Sequence, residues 1–407
     1  MLEPTLPGRM PTSKILFVIG TLDVGGAETQ LVELASRLDR AKFTPMVCCI
    51  SPAGELVATL QSRGVPVYVL NFKRAFPGHL GYVASVPPMM RMIWRFWRLV
   101  RRERPDIIHG VLLAAYILGT FTGRLAGTPV VVSGRRSLGL FKQKKHAYLM
   151  LERLADRMTD LFIANSEAVR QDTLAREPVN ASDVIVIYNG LDLSRFDRPA
   201  SAALEAELNL PAGPRVIVVS NFIEYKGHEY FLRAWAQVLQ VFPEGVALLV
   251  GGGTLRPSLE RLVDSLNAAH SVRFLGVRHD VPALLAASDI YVHPSLQEGY
   301  SNSLLEAMAA GRAVVATSVG GNVEAVSEGD TGLLVPPQDS SALCSAMVRL
   351  LSNPREARAM GERARSTVRT RHEIGAMIRS YEIVYERLLL RVGRLRHGSA
   401  DDQTVAS

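Results

Sequence analysis

The chain has 407 residues, 48% of them hydrophobic and 21% charged, which is the composition of a globular protein and a length that favours two domains. It has no apolar run of about 18 residues or more, and its first residues lack the hydrophobic stretch of a signal peptide, so neither a transmembrane helix nor secretion is expected. Residues 1–200 carry a net charge of +9 and residues 201–407 one of −2, which predicts an anionic partner for the first half.

Short apolar runs alternate with helical stretches along the whole chain, which is the pattern of parallel sheets covered by helices on both faces. In the first half the predicted strands are 15–20, 45–50, 65–70, 106–111, 129–133, 161–166 and 184–189. In the second half they are 215–220, 246–251, 272–276, 289–294, 313–317 and 332–336. The predicted fold is therefore α/β, with two Rossmann-like, doubly wound domains that face a cleft, and ligands are expected at the carboxyl ends of the strands.

The turn-rich stretch 189–203 separates the two series of strands. The sequence predicts an N-terminal domain over 14–195 and a C-terminal domain over 205–372. A helix over 373–396 follows the second sheet and is expected to pack back on the first domain. The polar ends, 1–13 and 397–407, are expected to be disordered.

The loop after the first predicted strand, GTLDVGGAETQ, contains Gly25 and Gly26 directly before a helix. Paired glycines let the backbone approach a phosphate or a sugar, and the helix N-terminus attracts an anion. The spacing is not that of a GxGxxG fingerprint, so a dinucleotide site is a weak interpretation, and an ordinary strand-to-helix turn explains the glycines equally well.

The segment MMRMIWRFWRLVRR, residues 89–102, fits an amphipathic helix with an apolar face for the core. Trp94 and Trp97 flank a stripe of arginines on the other face, a combination that suits an anionic membrane surface. The basic segment KQKKH at 142–146 adds to it. A solvated basic face is the alternative, and nucleic acid is not expected because no base-reading module is recognisable. The stripe consists of Arg91, Arg95, Arg98 and Arg102.

Two loops in the second half suggest an anion site. Lys226 stands at the start of a helix, where a cation opposes the helix dipole unless it faces a bound anion. Gly251 to Gly253 close a strand and open a helix, which could shape a nucleotide pocket. An exposed lysine and a tight turn are the respective alternatives.

The most informative stretch is PSLQEGYSNSLLEAMAAG, residues 294–311, which places Glu298 and Glu306 on either side of a predicted helix start. Ser301 or Asn302 can cap this helix, whose first N–H groups then form an anion site. Each carboxylate can accept a pair of hydrogen bonds from the vicinal hydroxyls of a ribose or a pyranose. A capped core helix with two solvated glutamates is the alternative.

The second half resembles retaining glycosyltransferases of family 4, which have the GT-B fold. The matching segments are KGHEYFLRAW, LLVGGGTLRPSLE, DVPALLAASDIYVHPS, EGYSNSLLEAMAAGRAVVATSVGGNVEAV and TGLLVPPQD, with GGAETQLVELA, ANSEAV and YNGLD in the first half. The two glutamates, with seven residues between them, match the EX7E motif of that family.

The resemblance implies that Glu306 binds the ribose hydroxyls of a nucleotide-diphosphate sugar and that Glu298 contacts its sugar. Lys226 and the amides of Gly299, Tyr300, Ser301 and Asn302 would bind the diphosphate. Further donor contacts are expected at Gly252 and Gly321, and Gly320 and Glu324 would lie in the same turn as Gly321, near the donor end. Gly25 and Gly26 would approach the diphosphate or the acceptor.

The chain departs from the family pattern at two places. Asn221 stands five residues before Lys226, where the family commonly has an arginine (R-x4-K). Asn221 is still expected to contact the donor. The loop DIIHGVLLAAYILG has Val111 and Ala114 where a histidine near the reacting sugar is usual. His109, earlier in this segment, is the remaining catalytic candidate, although a role in the strand is the alternative. Arg135 and Arg136 could supply the lost charge.

The predicted function is retaining transfer of a sugar from a nucleotide-diphosphate sugar, with UDP favoured, to a hydroxyl of a carbohydrate or lipid-linked acceptor. A role in cell-surface polysaccharide or glycolipid assembly is expected. No metal or other cofactor is expected, since fixed cations and amides would stabilise the leaving diphosphate. The three cysteines have neither metal-ligand nor disulfide spacing, which favours the cytoplasm, with a peripheral position at the inner face of the membrane. The alternatives are a catalytically weak subunit that binds nucleotide sugars and a sugar-nucleotide epimerase.

Overall fold

Runs of aliphatic and β-branched residues form the thirteen predicted strands, because such side chains fill both buried faces of a parallel sheet. The computed structural model describes residues 12–73, 79–139, 146–197, 202–208 and 213–393. Within these ranges the strands form two sheets in which every neighbouring pair is parallel. The predicted α/β fold with two Rossmann-like sheets is confirmed.

The first sheet has seven strands in the order β3-β2-β1-β4-β5-β6-β7. Its strands are β1 (Ser13–Ile19), β2 (Phe43–Cys49), β3 (Val67–Val69), β4 (Ile107–Val111), β5 (Val130–Arg135), β6 (Leu161–Ala164) and β7 (Val184–Val186). The helices between them are α1 (Gly26–Arg37), α2 (Leu56–Ser62), α3 (His79–Glu103), α4 (Leu113–Ala126), α5 (His146–Asp156) and α6 (Glu167–Arg176).

The second sheet has six strands in the order β10-β9-β8-β11-β12-β13. Its strands are β8 (Arg215–Val219), β9 (Val246–Val250), β10 (Val272–Gly276), β11 (Ile290–His293), β12 (Ala313–Thr317) and β13 (Gly332–Val335). The helices of this half are α7 (Ala202–Glu207), α8 (His228–Val238), α9 (Arg256–Ser265), α10 (Val281–Ala286), α11 (Asn302–Ala309), α12 (Asn322–Ala325), α13 (Ser340–Ser352), α14 (Pro354–Arg371) and α15 (Ile374–Arg391).

The central strands of the second sheet are buried on both faces. Val216 and Val218 of β8 pack in one apolar cluster with Trp235 of α8, whereas Ile217 packs in another with Leu304 of α11. Alternate residues of a strand point to opposite faces, so helices cover both sides of β8. The indole Nε1 of the fully buried Trp235 donates to Ser271 Oγ at 3.0 Å, which satisfies its one polar atom.

The order of strands reverses between β8 and β11, which lie side by side in the second sheet. Such a reversal leaves a crevice at the carboxyl ends of the two strands, because their following helices lie on opposite faces. The loops after β8 and β11 leave the sheet at this point. It follows that Lys226 and Glu298, 72 residues apart in the chain, are brought together.

The described chain divides into two compact units, each built around one sheet. The second unit consists of residues 165–172 and 188–377, so it includes the start of α6 in addition to the predicted second domain. α15 is divided between the units: residues from Ile378 onward belong to the first, where Tyr385 packs against Phe17 and Phe43.

Three predicted features fall mainly outside the described residues. They are the tail 1–13, of which only Thr12 and Ser13 are described, the tail 397–407, and the basic segment 142–146, of which only His146 is described. Ser13 is the first residue of β1 rather than part of a disordered tail. Among the helices that are described, none is long and apolar enough to cross a membrane.

Candidate active site

Lys226 and Glu298 form an ion pair in the second unit, with 2.5 Å between Nζ and Oε2. Lys226 ends a 3-10 helix between β8 and α8, and Glu298 lies in the loop after β11. The next residue, Gly227, has φ +67°, and a Cβ there would lie 2.0 Å from the carbonyl oxygen of Pro294. Only glycine allows this approach of the two loops, so the sequence Lys-Gly positions the ammonium group against Glu298.

The Glu298 carboxylate makes its hydrogen bonds to the described residues through one oxygen. Oε2 accepts from Lys226, from His293 Nε2 at 3.0 Å and from Ser295 Oγ at 3.4 Å. Within the described part of the chain Oε1 has no such partner. Burial alone would raise the pKa of Glu298, but the charge of Lys226 and the hydrogen bond from His293 lower it to about 2. Glu298 is therefore an ionised acceptor with one oxygen available to a ligand.

His293 is the last residue of β11 and is fully buried. The hydroxyl of Tyr291 lies 2.9 Å from its Nδ1 and 2.9 Å from Ser303 Oγ in α11. Burial lowers the pKa of His293, so the imidazole is neutral at physiological pH. Because the ionised Glu298 can only accept, Nε2 carries the proton. Sequence reasoning missed this residue, although a polar residue at the end of an otherwise apolar strand, DIYVH, is a usable signal.

We expect His293 to act as a positioning residue for Glu298. Replacing His293 with alanine removes a donor to Oε2, so the pKa of Glu298 should rise and kcat should fall about tenfold. His293→Gln can still donate from its amide and should restore most of the activity. The measurement is the acid limb of the kcat profile against pH, with Lys226, His228 and Tyr291, which also surround this imidazole, left unchanged. Equal acid limbs in wild type and alanine variant would contradict this role.

The start of α11 presents backbone amides. Ser301 is the N-cap, and its Oγ accepts from the amide of Leu304 at 3.3 Å. The amides of Gly299, Tyr300 and Ser301 donate to no group in the described part of the chain. Unpaired amides at a helix N-terminus attract an anion, so this loop can bind a phosphate.

The side chains of Tyr300 and Asn302 are used within the protein. The buried Tyr300 hydroxyl lies 3.0 Å from His372 Nε2, and Asn302 Oδ1 accepts from Asn189 Nδ2 at 2.7 Å. Asn189 Nδ2 also donates to the carbonyl of Tyr300 at 3.2 Å. These bonds hold the loop in place and already engage the Tyr300 hydroxyl and Asn302 Oδ1.

Glu306 differs from Glu298 in having no hydrogen-bonding partner for its carboxylate among the described residues. It lies on the second turn of α11 and is half-buried. Burial raises the pKa of Glu306 to about 7, and the charge of Arg195 offsets this only in part. An unpaired, half-buried carboxylate is costly unless a ligand supplies its hydrogen bonds.

The glycine turns of the second unit pack backbone on backbone around this site. A Cβ on Gly320, which has φ +47°, would lie 1.8 Å from the carbonyl oxygen of Glu298, and one on Gly321 would lie 2.1 Å from that of Gly299. Gly252 accepts from the amide of Phe222 at 2.7 Å. Asn221, directly before Phe222, is exposed. These close backbone contacts fix the positions of Glu298, Gly299 and the loop after β8 relative to one another.

Glu324 supports the site through a different contact from the one its position suggested. Its carboxylate accepts from the amides of Glu167 and Ala168 at 2.8 and 2.7 Å, at the N-terminus of α6, and from the hydroxyl of Tyr188 at 2.9 Å. Glu324 therefore caps α6, and both of its carboxylate oxygens already accept hydrogen bonds from the protein. No local pattern predicts this pairing, since the partners are 157 residues apart.

Two models of known families match the chain. The description "Glycosyltransferase Family 4" covers residues 24–195, and "Glycosyl transferases group 1" covers residues 213–353. The N-acetyl-alpha-D-glucosaminyl L-malate synthase of Bacillus anthracis is 30% identical over 317 residues, which are 74% of this chain and 80% of that protein.

The chain belongs to glycosyltransferase family 4. A second relative is the UDP-Gal:alpha-D-GlcNAc-diphosphoundecaprenol alpha-1,3-galactosyltransferase of Escherichia coli, 28% identical over 64% of this chain and 70% of that protein. The crystal structure of Anabaena HepE in complex with UDP and glucose has a TM-score of 0.81 at 25% identity, covering 92% of this chain and all (100%) of that one. The protein is thus a glycosyltransferase with the GT-B fold.

In this family 4 enzyme, His109 lies within β4 and is a buried core residue. Its Nδ1 lies 2.7 Å from the hydroxyl of Tyr385 in α15, and rings of Phe17 and Tyr381 pack around it. Burial lowers the pKa of His109 to about 3. This environment is that of a core histidine, so the structure does not support the prediction of a catalytic His109.

Arg135 is also a structural residue. The buried guanidinium pairs with Asp156 at 2.9 Å and Glu177 at 2.6 Å, with Glu152 3.6 Å away. It lies 4.3 Å above the ring of Tyr116. The suggestion that Arg135 supplies charge to a ligand is therefore wrong, because three carboxylates already neutralise it.

The glycine pair at the start of α1 is explained in part by Glu28. This buried carboxylate folds back over the turn, so a Cβ on Gly25 would lie 2.3 Å from Glu28 Oε2. Burial raises the pKa of Glu28, and the charge of Arg136 opposes that effect. Arg136 also lies 3.5 Å from the hydroxyl of Tyr381. Gly25, Gly26 and Arg136 thus remain the candidate ligand contacts of the first unit.

Proposed function

We propose that this family 4 enzyme transfers a sugar with retention from a UDP-sugar to a hydroxyl acceptor. The observation that carries the proposal is the contrast between two glutamates at one helix start. Glu298 is paired and ionised with one oxygen available, and Glu306 has no partner among the described residues. Between them, the amides of residues 299–301 donate to no group among the residues that the structure describes. This arrangement suits a diphosphate on the amides with one sugar at each carboxylate.

Each group takes a separate part in the proposed reaction. Glu306 accepts from the ribose hydroxyls, Oε1 of Glu298 accepts from a hydroxyl of the transferred sugar, and the ammonium of Lys226 neutralises the diphosphate. Gly252, Gly321 and the exposed Asn221 line the donor pocket of the second unit, and Gly25 and Gly26 remain candidate ligand contacts of the first unit. The names of two relatives support UDP: one acts on UDP-Gal, and HepE is described with UDP.

The proposed chemistry breaks the bond between the anomeric carbon and the diphosphate oxygen and forms one from the acceptor oxygen on the same face of the sugar. The leaving phosphate oxygen takes the proton of the acceptor hydroxyl. Lys226 and the helix amides stabilise the negative charge that develops on the leaving group, which is where fixed dipoles lower a barrier most. Both carboxylates act as hydrogen-bond acceptors rather than as an acid and base pair.

A turnover assay tests this proposal. The full chain is incubated with UDP-sugars and a hydroxyl acceptor, released UDP is measured, and proton NMR of the product reports the configuration of the new linkage. An α-linked product from an α-linked donor is expected. An inverted product would overturn the mechanism, and donor binding without any release of UDP would support the second candidate below.

A catalytically weak subunit that binds nucleotide sugars is the second candidate function. It is favoured by Asn221, which leaves Lys226 without the arginine common in the family, and by the burial of His109. Saturable binding of a UDP-sugar combined with turnover no faster than that of a Lys226→Ala variant is the outcome that would identify it.

We further propose that the acceptor is lipid-linked and is reached at the inner face of a membrane, in polysaccharide or glycolipid assembly. The net charge of +9 in residues 1–200 supports an anionic surface as a partner. The E. coli relative is named for a diphosphoundecaprenol acceptor. Transfer to a lipid diphosphate acceptor in vesicles, and none to the same sugar in soluble form, is the expected result.

A further inference from the structure

One surface of the first unit has a composition that the donor site does not explain. Along the edge of the first sheet, β3 and the exposed side of α3 enclose a groove of 580 Å³ lined by residues 67–70, Trp94, Arg95, Arg98 and Arg102. A second hollow of 440 Å³ continues it past residues 71–73, Arg91 and Arg95. Leu70 and Arg95 line both hollows, which are therefore adjacent and are together named the β3–α3 groove.

The cations of this groove are mostly uncompensated. Arg91, Arg98 and Lys73 have no carboxylate partner among the described residues, and Arg95 donates only to the carbonyl of Leu70, at 3.2 Å. Arg102 differs, since it pairs with Glu103 at 2.8 Å. Arginines spaced by three and four residues lie on one helix face and repel one another. A face that keeps them unpaired is stabilised when an anion binds.

Apolar side chains lie next to these cations. Met90 is 56% and Trp94 52% exposed, and Val86 and Met89 are exposed too, all on α3. The guanidinium of Arg98 lies 4.8 Å above the ring of Trp94, so charge and apolar surface are joined in one patch. The buried side of α3, with Phe96 and Val100, already serves the core. The exposed apolar side chains of α3 therefore have no partner in the described part of the first unit.

We propose that the β3–α3 groove is the surface by which the enzyme docks on an anionic lipid bilayer, with lipid phosphates between the arginines and with Trp94 and Met90 in the interface. A soluble phosphate would neutralise the arginines but leave the apolar stripe in water. A bilayer with anionic headgroups satisfies both, since it offers charge and an apolar layer within the reach of one helix. The inference rests on the proposed function in that it supplies the membrane on which a lipid-linked acceptor is reached.

The groove lies along the edge strand of the sheet, and this placement adds to the argument. An edge strand with unpaired backbone groups is open to association with another chain, and flanking cations prevent that by repulsion. The same cations that keep a second copy away attract an anionic surface.

The test compares two charge reversals in the full chain. In the groove variant, Arg91 and Arg98 become glutamate; in the matched control, Arg355 and Arg358 of α14, also exposed, become glutamate. Sedimentation with vesicles of phosphatidylcholine, with and without phosphatidylglycerol, measures binding at about 0.15 M salt. The wild type and the control should bind the anionic vesicles alike, and the groove variant at least tenfold more weakly. Trp94→Ser should weaken binding without changing its salt dependence.

Two results would overturn the inference. One is an absence of wild-type binding to the anionic vesicles, and the other is an equal loss of binding in the groove variant and in the control. Binding of polyphosphate in solution without binding of vesicles would overturn the lipid assignment. The rise in melting temperature that UDP produces reports the donor site separately. If the groove does not bind vesicles, this rise should persist. If the proposed donor is wrong, the rise should be absent while vesicle binding persists.

Discussion

Replacing Lys226 with alanine is expected to lower kcat by about 100- to 1,000-fold, which is the usual cost of removing one group that stabilises developing charge. Lys226 carries the charge at the start of α8, and Asn221 provides no second cation there. The leaving diphosphate would then be stabilised by the helix amides alone. The measurement is kcat at saturating donor and acceptor.

The same variant has a second expected effect, on Glu298. The charge of Lys226 is the largest of the influences that lower the pKa of Glu298, whereas burial raises it. Without the ammonium group, the pKa of Glu298 should rise from about 2, so activity is lost at a higher pH on the acid side. Lys42→Ala, at a lysine paired with Glu386 in the first unit, is the control and should behave as the wild type. An unchanged kcat in Lys226→Ala would exclude this lysine from catalysis.

Glu306→Gln is expected to weaken the binding of a UDP-sugar by about 30- to 100-fold at pH 8. The substitution keeps the shape of the side chain but turns two hydrogen bonds to a charged acceptor into weaker or lost ones. Titration calorimetry with UDP-glucose measures this directly. A dissociation constant within a factor of two of the wild type would show that the ribose does not bind at this carboxylate.

The pH dependence of binding sharpens that test. The pKa of Glu306 is raised to about 7, so its carboxylate form is lost as the pH falls below that value. Donor affinity of the wild type should therefore decrease about tenfold per pH unit below pH 7, whereas the glutamine variant should show no such dependence. Burial lowers the pKa of His293, which shifts its titration away from pH 7, and a UDP-sugar has no terminal phosphate that titrates near pH 6. A flat wild-type profile would contradict an unpaired Glu306 in the ligand-free enzyme.

Local sequence patterns are sufficient to predict where the strands form and where α11 begins. The apolar runs predict where each strand forms because burial on both faces leaves few polar positions, and the Ser301 cap follows from hydroxyl chemistry at a helix start. The two glutamates were predicted as a pair from their spacing. Their different protonation was not, because it depends on Lys226 and His293, which approach only one of them.

The remaining errors concern side chains whose partners come from elsewhere in the chain. His109 is a catalytic candidate in the sequence because no nearby residue predicts its contact with Tyr385. Tyr385 lies 276 residues away and holds His109 in the core. Arg135 looked available because its carboxylate partners lie on α5 and after α6. Glu324 likewise caps a distant helix. Such pairings follow from tertiary packing rather than from any local periodicity or propensity.

The central claim is that the loop from Glu298 to Glu306 binds the diphosphate and ribose of a UDP-sugar. The most direct measurement is calorimetric titration of the full chain with UDP, uridine and GDP, repeated for Glu306→Gln and Lys226→Ala. The account predicts that UDP binds more tightly than uridine, that Lys226→Ala removes most of the difference between them, and that Glu306→Gln weakens both. Equal affinities for UDP and uridine, no binding of either ligand, or affinities that neither substitution changes would contradict it.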